Sequence, residues 1–323
     1  RGGNGPISPN RSMFYGIAVI IGIALPLFVQ IFRFLWNTSV RGRRDVEEYT
    51  TIPIIGEIPS LDKKDERDVI VFDDKKHSQI TEAFRILRTN VEFVDKEAKV
   101  YMVTSSIPNE GKSFISVNLW NELAKAGKSV CFVDADMRKS MLRSTLRLSS
   151  DREDFAGLSH YLAGYVDAES VIYTTDRQRA YMIPTATLVN PSLLLEGKRF
   201  DNLILSLRQS FDYVIVDTPP LSLVSDGQKI AAKCDGCILV VRAHETRKEV
   251  VRNSLQQLET VDCPLLGIVL NRAESRRARG YYSKGYYSKY YGKYYSNTSN
   301  SEVAAPGKSG RKRTDSVPKA KPD

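Results

Sequence analysis

At 323 residues the chain is long enough for one sizeable folded domain with appendages. Its formal net charge of +9 is concentrated in residues 273–323, where twelve Lys and Arg face four Asp and Glu, so the preceding part carries about one net positive charge and lacks the broad basic surface of a DNA-binding domain. Four cysteines, Cys131, Cys234, Cys237 and Cys263, are too few and too unevenly spaced for a disulfide framework and indicate a reducing compartment.

Residues 1–11, rich in Gly, Pro and Asn, read as an extracytoplasmic edge. A start at Arg1 rather than Met suggests the C-terminal part of a longer protein. Ser12 to Phe32 is an uncharged, mostly apolar stretch of twenty-one residues flanked by Arg11 and Arg33. This predicts a transmembrane helix over 12–36, kinked at Pro26; the alternatives are a buried soluble helix or a signal peptide. Arg33, Arg41, Arg43 and Arg44 follow the span, which places the remainder in the cytoplasm by the positive-inside rule.

Residues 37–78 read as a juxtamembrane linker, with a turn-rich patch at Ile55-Gly56-Glu57-Ile58-Pro59 and a charged stretch from Asp62 to Asp68. Helical periodicity returns from Gln79 to Phe93, where Ala83, Phe84, Leu87 and Val91 share a face. On that helix Glu82, Arg85 and Arg88 recur every three residues, which by spacing alone is a solvated face with an i,i+3 ion pair.

The β-branched and aromatic run Val100 to Ser106 leads into Ile107-Pro108-Asn109-Glu110-Gly111-Lys112-Ser113, and a helical stretch follows from Phe114 to Lys125, stopped at Gly127. Strand, loop and helix with Gly-Lys-Ser at the turn is the context of a P-loop: backbone N–H groups cradle phosphate, Lys112 reaches the β- and γ-phosphates, and the Ser113 hydroxyl binds Mg²⁺. The pattern GxxxxGK[ST] wants Gly where Ser106 stands, and Asn109 occupies a position suited to positive φ, which Asn tolerates.

Two further buried-strand runs end in acids: Ser129 to Val133 in Asp134-Ala135-Asp136-Met137-Arg138, and Tyr213 to Val216 in Asp217-Thr218-Pro219-Pro220. In an open parallel sheet ligands bind at the C-terminal strand ends, so the three motifs converge on one crevice built for nucleotide hydrolysis or transfer. Cys234-x-x-Cys237 has no partners to complete a zinc site and runs into a third apolar run, Ile238 to Arg242, so it reads as core. With Leu265 to Leu270 the sheet has at least five strands, an α/β, P-loop NTPase-like, mostly parallel sheet with flanking helices over residues 79–272.

The tail over 273–323 is basic and carries four tyrosine pairs, Tyr281-Tyr282, Tyr286-Tyr287, Tyr290-Tyr291 and Tyr294-Tyr295, separated only by Ser, Lys and Gly. Such rings have no aliphatic partners for a core. They read as phospho-acceptors, as a low-complexity β-associating segment, as a stacking platform for single-stranded nucleic acid, or as a folded edge. Residues 296–323 are expected to be disordered.

The P-loop, the Val-Asp-Ala-Asp and Val-Asp-Thr-Pro-Pro strand ends and the tyrosine-rich tail, in that order, resemble the bacterial tyrosine kinases, specifically the polysaccharide co-polymerase autokinases. Further similar runs are Ser8 to Arg11, Ile52 to Pro59, Gly157 to Leu162 and Asn190 to Ser192, and Glu82 to Arg88 fits the family's ExxRxxR motif. The resemblance implies an ATP- and Mg²⁺-dependent autokinase of the bacterial inner (plasma) membrane, with a cytoplasmic kinase domain, that phosphorylates the tyrosine cluster of neighbouring subunits and regulates capsular or exopolysaccharide polymerisation and export. It implies nucleotide binding by Ser106, Pro108, Asn109, Glu110, Gly111, Lys112, Ser113 and Phe114, and, by a looser parallel, adenine contacts from Asn271 and Arg272. Asp134 is then the base for the tyrosine hydroxyl, and Ser113, Asp136 and Asp217 organise Mg²⁺. Arg138 matches a family arginine without a derivable role. Glu82, Arg85 and Arg88 become subunit contacts in a ring-like homo-oligomer, in place of the solvated face. A tyrosine phosphatase and the polysaccharide machinery are the implied partners. Each phosphate adds about −1.5 to −2 charges, so full modification would turn the basic tail strongly acidic and release it from anionic lipid or an acidic neighbouring surface. The rival reading is a membrane-attached ParA- or MinD-like P-loop ATPase whose tail is only a binding arm; it has no need of the tyrosine pairs. Nucleic acid is not an expected partner, given the span upstream.

Overall fold

The structure is a computed structural model that describes residues 11–35, 38–60, 78–137, 156–185, 194–195, 197–222, 226–261 and 263–274. Helix α1 spans Arg11–Leu35 with Pro26 inside it. Among the described residues it alone is long and apolar enough to cross a membrane, by the 20-residue segment Met13–Phe32, whose large side chains are exposed along its whole length.

The remaining elements in chain order are α2 (Arg43–Glu47), β1 (Ile54–Pro59), α3 (Ser78–Val94), β2 (Val100–Ser105), α4 (Lys112–Lys125), β3 (Val130–Asp134), α5 (Leu158–Ala163), β4 (Tyr173–Thr174), β5 (Ala180–Ile183), α6 (Lys198–Ser210), β6 (Tyr213–Asp217), α7 (Asp226–Ala231), β7 (Gly236–Arg242), α8 (Lys248–Glu259) and β8 (Leu265–Ala273). They build one eight-stranded sheet in the order β1-β8-β7-β2-β6-β3-β5-β4. Every pairing is parallel except the short β4–β5 contact. The central strands are buried on both faces, which is why they read as continuous runs of Val, Ile and Cys rather than alternating ones.

One face of the sheet packs against α3 and α4 through Phe84, Leu87, Val91, Ile115, Leu119 and Trp120. The other packs against α5, α6 and α8 through Leu158, Phe200, Leu203, Leu207, Val251 and Leu255. All four cysteines are buried and free. Burial pushes the Cys234 and Cys237 thiols well above their usual range, as suits core residues.

The segment expected to be a turn-rich connector is corrected by β1. Ile54 to Pro59 form an edge strand paired in parallel with β8, Ile54 against Ile268 and Glu57 against Leu270. Ile54 enters the core on one face, and Ile55 and Ile58 enter it on the other. Two glycines make the room. A Cβ on Gly267 would lie 2.4 Å from Ile55 Cγ2, and one on Gly56 3.0 Å from Leu87 Cδ1. Proline suits a strand end because it has no N–H to leave unpaired. Closer to α1, Thr38 to Val40 run along the loop that follows β7: Val40 N–H donates to Thr246 O at 2.8 Å, His244 N–H to Val40 O at 2.7 Å, and Lys248 N–H to Thr38 O at 2.9 Å. Residues 61–77, with the charged stretch from Asp62 to Asp68, lie outside the described residues.

Candidate active site

The crevice lies at the C-terminal ends of β2, β6 and β3, three neighbouring parallel strands. The loop after β2 turns into α4 through Asn109 at φ 67 and Gly111 at φ 89. Asn109 thus takes the left-handed conformation expected of it. Gly111 is required twice over, since a Cβ there would lie 2.2 Å from Asn271 Nδ2. Lys112 begins the helix, and Gly127 at φ 83 follows its end.

Lys112 Nζ points among carboxylates. It lies 2.7 Å from Asp136 Oδ2 and 3.5 Å from Asp217 Oδ2. Asp134 is buried and pairs in register with Asp217 across β3 and β6. The Ser113 hydroxyl donates to Asp217 Oδ2 at 2.6 Å. One turn on, the Ser116 hydroxyl lies 2.9 Å from Asp217 Oδ1 and 2.8 Å from Lys112 O, two acceptors for a single proton. Burial works against the Lys112 charge, but Asp217, Asp136 and Asp134 together outweigh it and hold the ammonium's pKa above its ordinary value. Burial raises the Asp217 carboxyl, against the opposing pull of Lys112 and the two serine hydroxyls.

The donor set fits Mg²⁺. Ser113, Asp136 and Asp217 offer hard oxygens beside the P-loop. Among the described residues no cluster of three His, Cys, Asp or Glu side chains forms a self-sufficient metal cage.

Other sequence-predicted residues turn out to have different surroundings. The Glu110 carboxylate faces into the protein: it accepts from Ile107 N–H at 2.8 Å, from Arg242 N–H at 3.2 Å and from the Thr246 hydroxyl. Only its backbone N–H is left for phosphate. Asn271, expected at adenine, spends its amide elsewhere, with Nδ2 donating to Glu110 O at 2.8 Å and Oδ1 accepting from Arg272 N–H at 2.9 Å. Arg272 is half-buried at φ 54. The Phe114 ring packs edge-on against Phe84 at 5.5 Å, so this residue brings its helix N-terminus to the crevice and its side chain to the core. Ser106 is fully buried beneath the loop, and Pro108 is exposed on it.

On α3, Arg85 pairs with Glu82 at 3.6 Å and Arg88 with Glu92 at 2.8 Å. Residues 1–10, Arg138, Asn190 to Ser192 and the acceptors Tyr281, Tyr282, Tyr286, Tyr287, Tyr290, Tyr291, Tyr294 and Tyr295 lie outside the described residues. Sequence reasoning missed Ser116, Arg242 and Thr246. Ser116 could have been found as the hydroxyl one helical turn beyond Ser113; no local pattern marks the other two.

A family model for an AAA domain matches residues 77–262. The chain is 36% identical over 203 residues to the tyrosine-protein kinase CpsD of Streptococcus agalactiae, covering 62% of this chain and 87% of that relative. It is 29% identical over 315 residues to the putative tyrosine-protein kinase EpsB of Ralstonia solanacearum, covering 92% of this chain and 41% of that longer relative. Among solved structures, the kinase domain of the Escherichia coli tyrosine kinase ETK superposes with a TM-score of 0.63 at 29% identity, over 75% of this chain and 98% of that one.

Proposed function

The chain belongs to the bacterial tyrosine-protein kinases, and from that premise we propose that its P-loop crevice transfers the γ-phosphoryl group of ATP to tyrosines of the basic tail on a neighbouring copy. The observation that carries this is the grouping of Lys112, Ser113, Asp136 and Asp217 at the ends of adjacent parallel strands, with Asp134 beside Asp217. The backbone N–H groups at the start of α4 hold the phosphates, and Lys112 neutralises charge developing on the transferred group. Asp134 orients the phenol and accepts its proton. Ser113, Asp136 and Asp217 would hold Mg²⁺, which supplies charge neutralisation at the phosphates.

The ATPase rival loses on two counts. The relatives that cover most of this domain are named tyrosine kinases, and an arm that only binds has no use for eight paired tyrosines. Helix α1 supports attachment to the inner membrane with the kinase domain on the cytoplasmic side, by its length and by the arginines that follow it. The family resemblance supports a role in capsular or exopolysaccharide export, a ring-like assembly through Glu82, Arg85 and Arg88, and an opposing phosphatase.

The test is phosphotyrosine formation by the full chain in detergent with MgATP. The wild type gives a signal on the tail, and Lys112→Met gives none. A silent wild type, or a variant as active as the wild type, overturns the reading.

A further inference from the structure

The peptide groups of the P-loop are held from behind by two strand ends. Arg242 Nη1, at the end of β7, donates to Asn109 O at 2.9 Å, and Asn271 Nδ2, near the end of β8, donates to Glu110 O at 2.8 Å. In a planar trans peptide the C=O of one residue and the N–H of the next point in opposite directions. Drawing the Asn109 and Glu110 carbonyls towards β7 and β8 therefore turns the Glu110 and Gly111 N–H groups the other way, the orientation a phosphate cradle needs.

The Glu110 side chain is the strut of this arrangement. Oε2 accepts from Ile107 N–H within the loop, while Oε1 accepts from Arg242 N–H and from the Thr246 hydroxyl outside it. Both Glu110 and Thr246 are fully buried. An ionised carboxylate can only accept, so toward ionised Glu110 the Thr246 hydroxyl is the donor.

We propose that Thr246, on the loop between β7 and α8, is a positioning residue for the nucleotide, acting through Glu110 to fix the direction of the P-loop N–H groups. It touches neither phosphate nor acceptor. This rests on the reading of the P-loop as the nucleotide site and adds a residue to which neither the motif nor the sequence pattern points.

The experiment compares wild type, Thr246→Val, which keeps the shape and removes the donor, and Thr246→Ser, which keeps the donor and removes a methyl. Each full-length chain in detergent is titrated with a fluorescent ADP analogue in Mg²⁺, melted, and assayed for phosphotyrosine at varied ATP. Thr246→Val is expected to weaken nucleotide binding about tenfold, and to raise the KM for ATP by a similar factor with little change in kcat. Thr246→Ser is expected to lie within about twofold of the wild type. If Thr246→Val binds nucleotide as the wild type does, or if Thr246→Ser is as weak as Thr246→Val, the proposal is wrong. Should Thr246→Val fail to fold, Glu110→Gln takes its place, with weakened nucleotide binding required by the proposal and wild-type binding overturning it. A wild type that binds nucleotide but makes no phosphotyrosine sinks the kinase reading alone, because the binding titration still decides the role of Thr246.

Discussion

Lys112, Asp134, Asp136 and Asp217 are all buried, and the one ammonium pairs with two of the three carboxylates, Asp136 and Asp217. Burial holds the Asp217 pKa above its ordinary value by disfavouring the ionised form, and the help from Lys112, Ser113 and Ser116 does not fully compensate. The sign follows from linkage. A carboxyl whose folded pKa lies above its unfolded value favours folding while protonated, and its ionisation costs stability as pH rises beyond the ordinary carboxylate range. Asp217→Asn, a neutral isostere that keeps an acceptor for Ser113, should therefore melt at or above the wild-type temperature in EDTA, with a gap that widens from about pH 5 to pH 7.5. The same variant should lose at least about a hundredfold in Mg²⁺-dependent phosphotransfer. Melting scans in EDTA at the two pH values check this, and a variant less stable than wild type at the higher pH would show that the ionised carboxylate helps the fold. At this scale the strand-end acids and the left-handed Asn109 were legible in sequence, because strand ends and φ preferences are local. Thr246 and Arg242 were not, because their partner Glu110 lies more than 130 positions away.

Among the elements, the strands that flank the crevice declare themselves by unbroken β-branched runs, and α4 by its Gly-Lys-Ser start. The edge strand β1 hides its identity, since Ile55-Gly56-Glu57-Ile58-Pro59 carries two turn-forming residues in five. What makes it a strand is a long-range fit. Ile55 sits where Gly267 of β8 leaves the space of a side chain, and Asn90 Nδ2 on α3 donates to Ile55 O at 2.7 Å. Neither partner can be deduced from the segment itself. Gly267→Ala puts a methyl 2.4 Å from Ile55 Cγ2, a branched carbon close to its own backbone that cannot swing aside as a long chain end would. Displacing Ile55 is expected to cost about 1–3 kcal/mol. The measurement is a thermal melt of the full chain, and an unchanged midpoint would mean that β1 contributes little to the stability of the sheet.

For the whole molecule the proposed transfer requires a crevice in one copy to reach tyrosines in another, and α3 is where the sequence and the structure supply different halves of an answer. Its inner face, Phe84, Leu87 and Val91, is spent on the sheet. Its outer face carries Glu82 and Arg85, 60% and 49% exposed and paired at 3.6 Å within the helix. Spacing alone supports a solvated ion pair, and the chain in isolation has that pair; only the family motif suggests that these charges have a second use between copies. The two readings separate cleanly because an exposed i,i+3 pair is worth about 0–1 kcal/mol to the fold. Glu82→Ala combined with Arg85→Ala should leave the melting temperature within a few degrees of wild type. If the face joins subunits, the same variant should shift the particle mass in detergent, read by light scattering, to a smaller species and should reduce tail phosphorylation in proportion. Mixing it with a Lys112→Met chain isolates the inter-subunit step, since the inactive chain can gain phosphate only from a neighbour. A double variant of wild-type mass that still phosphorylates Lys112→Met tails would return Glu82 and Arg85 to the solvated face that their spacing first suggested.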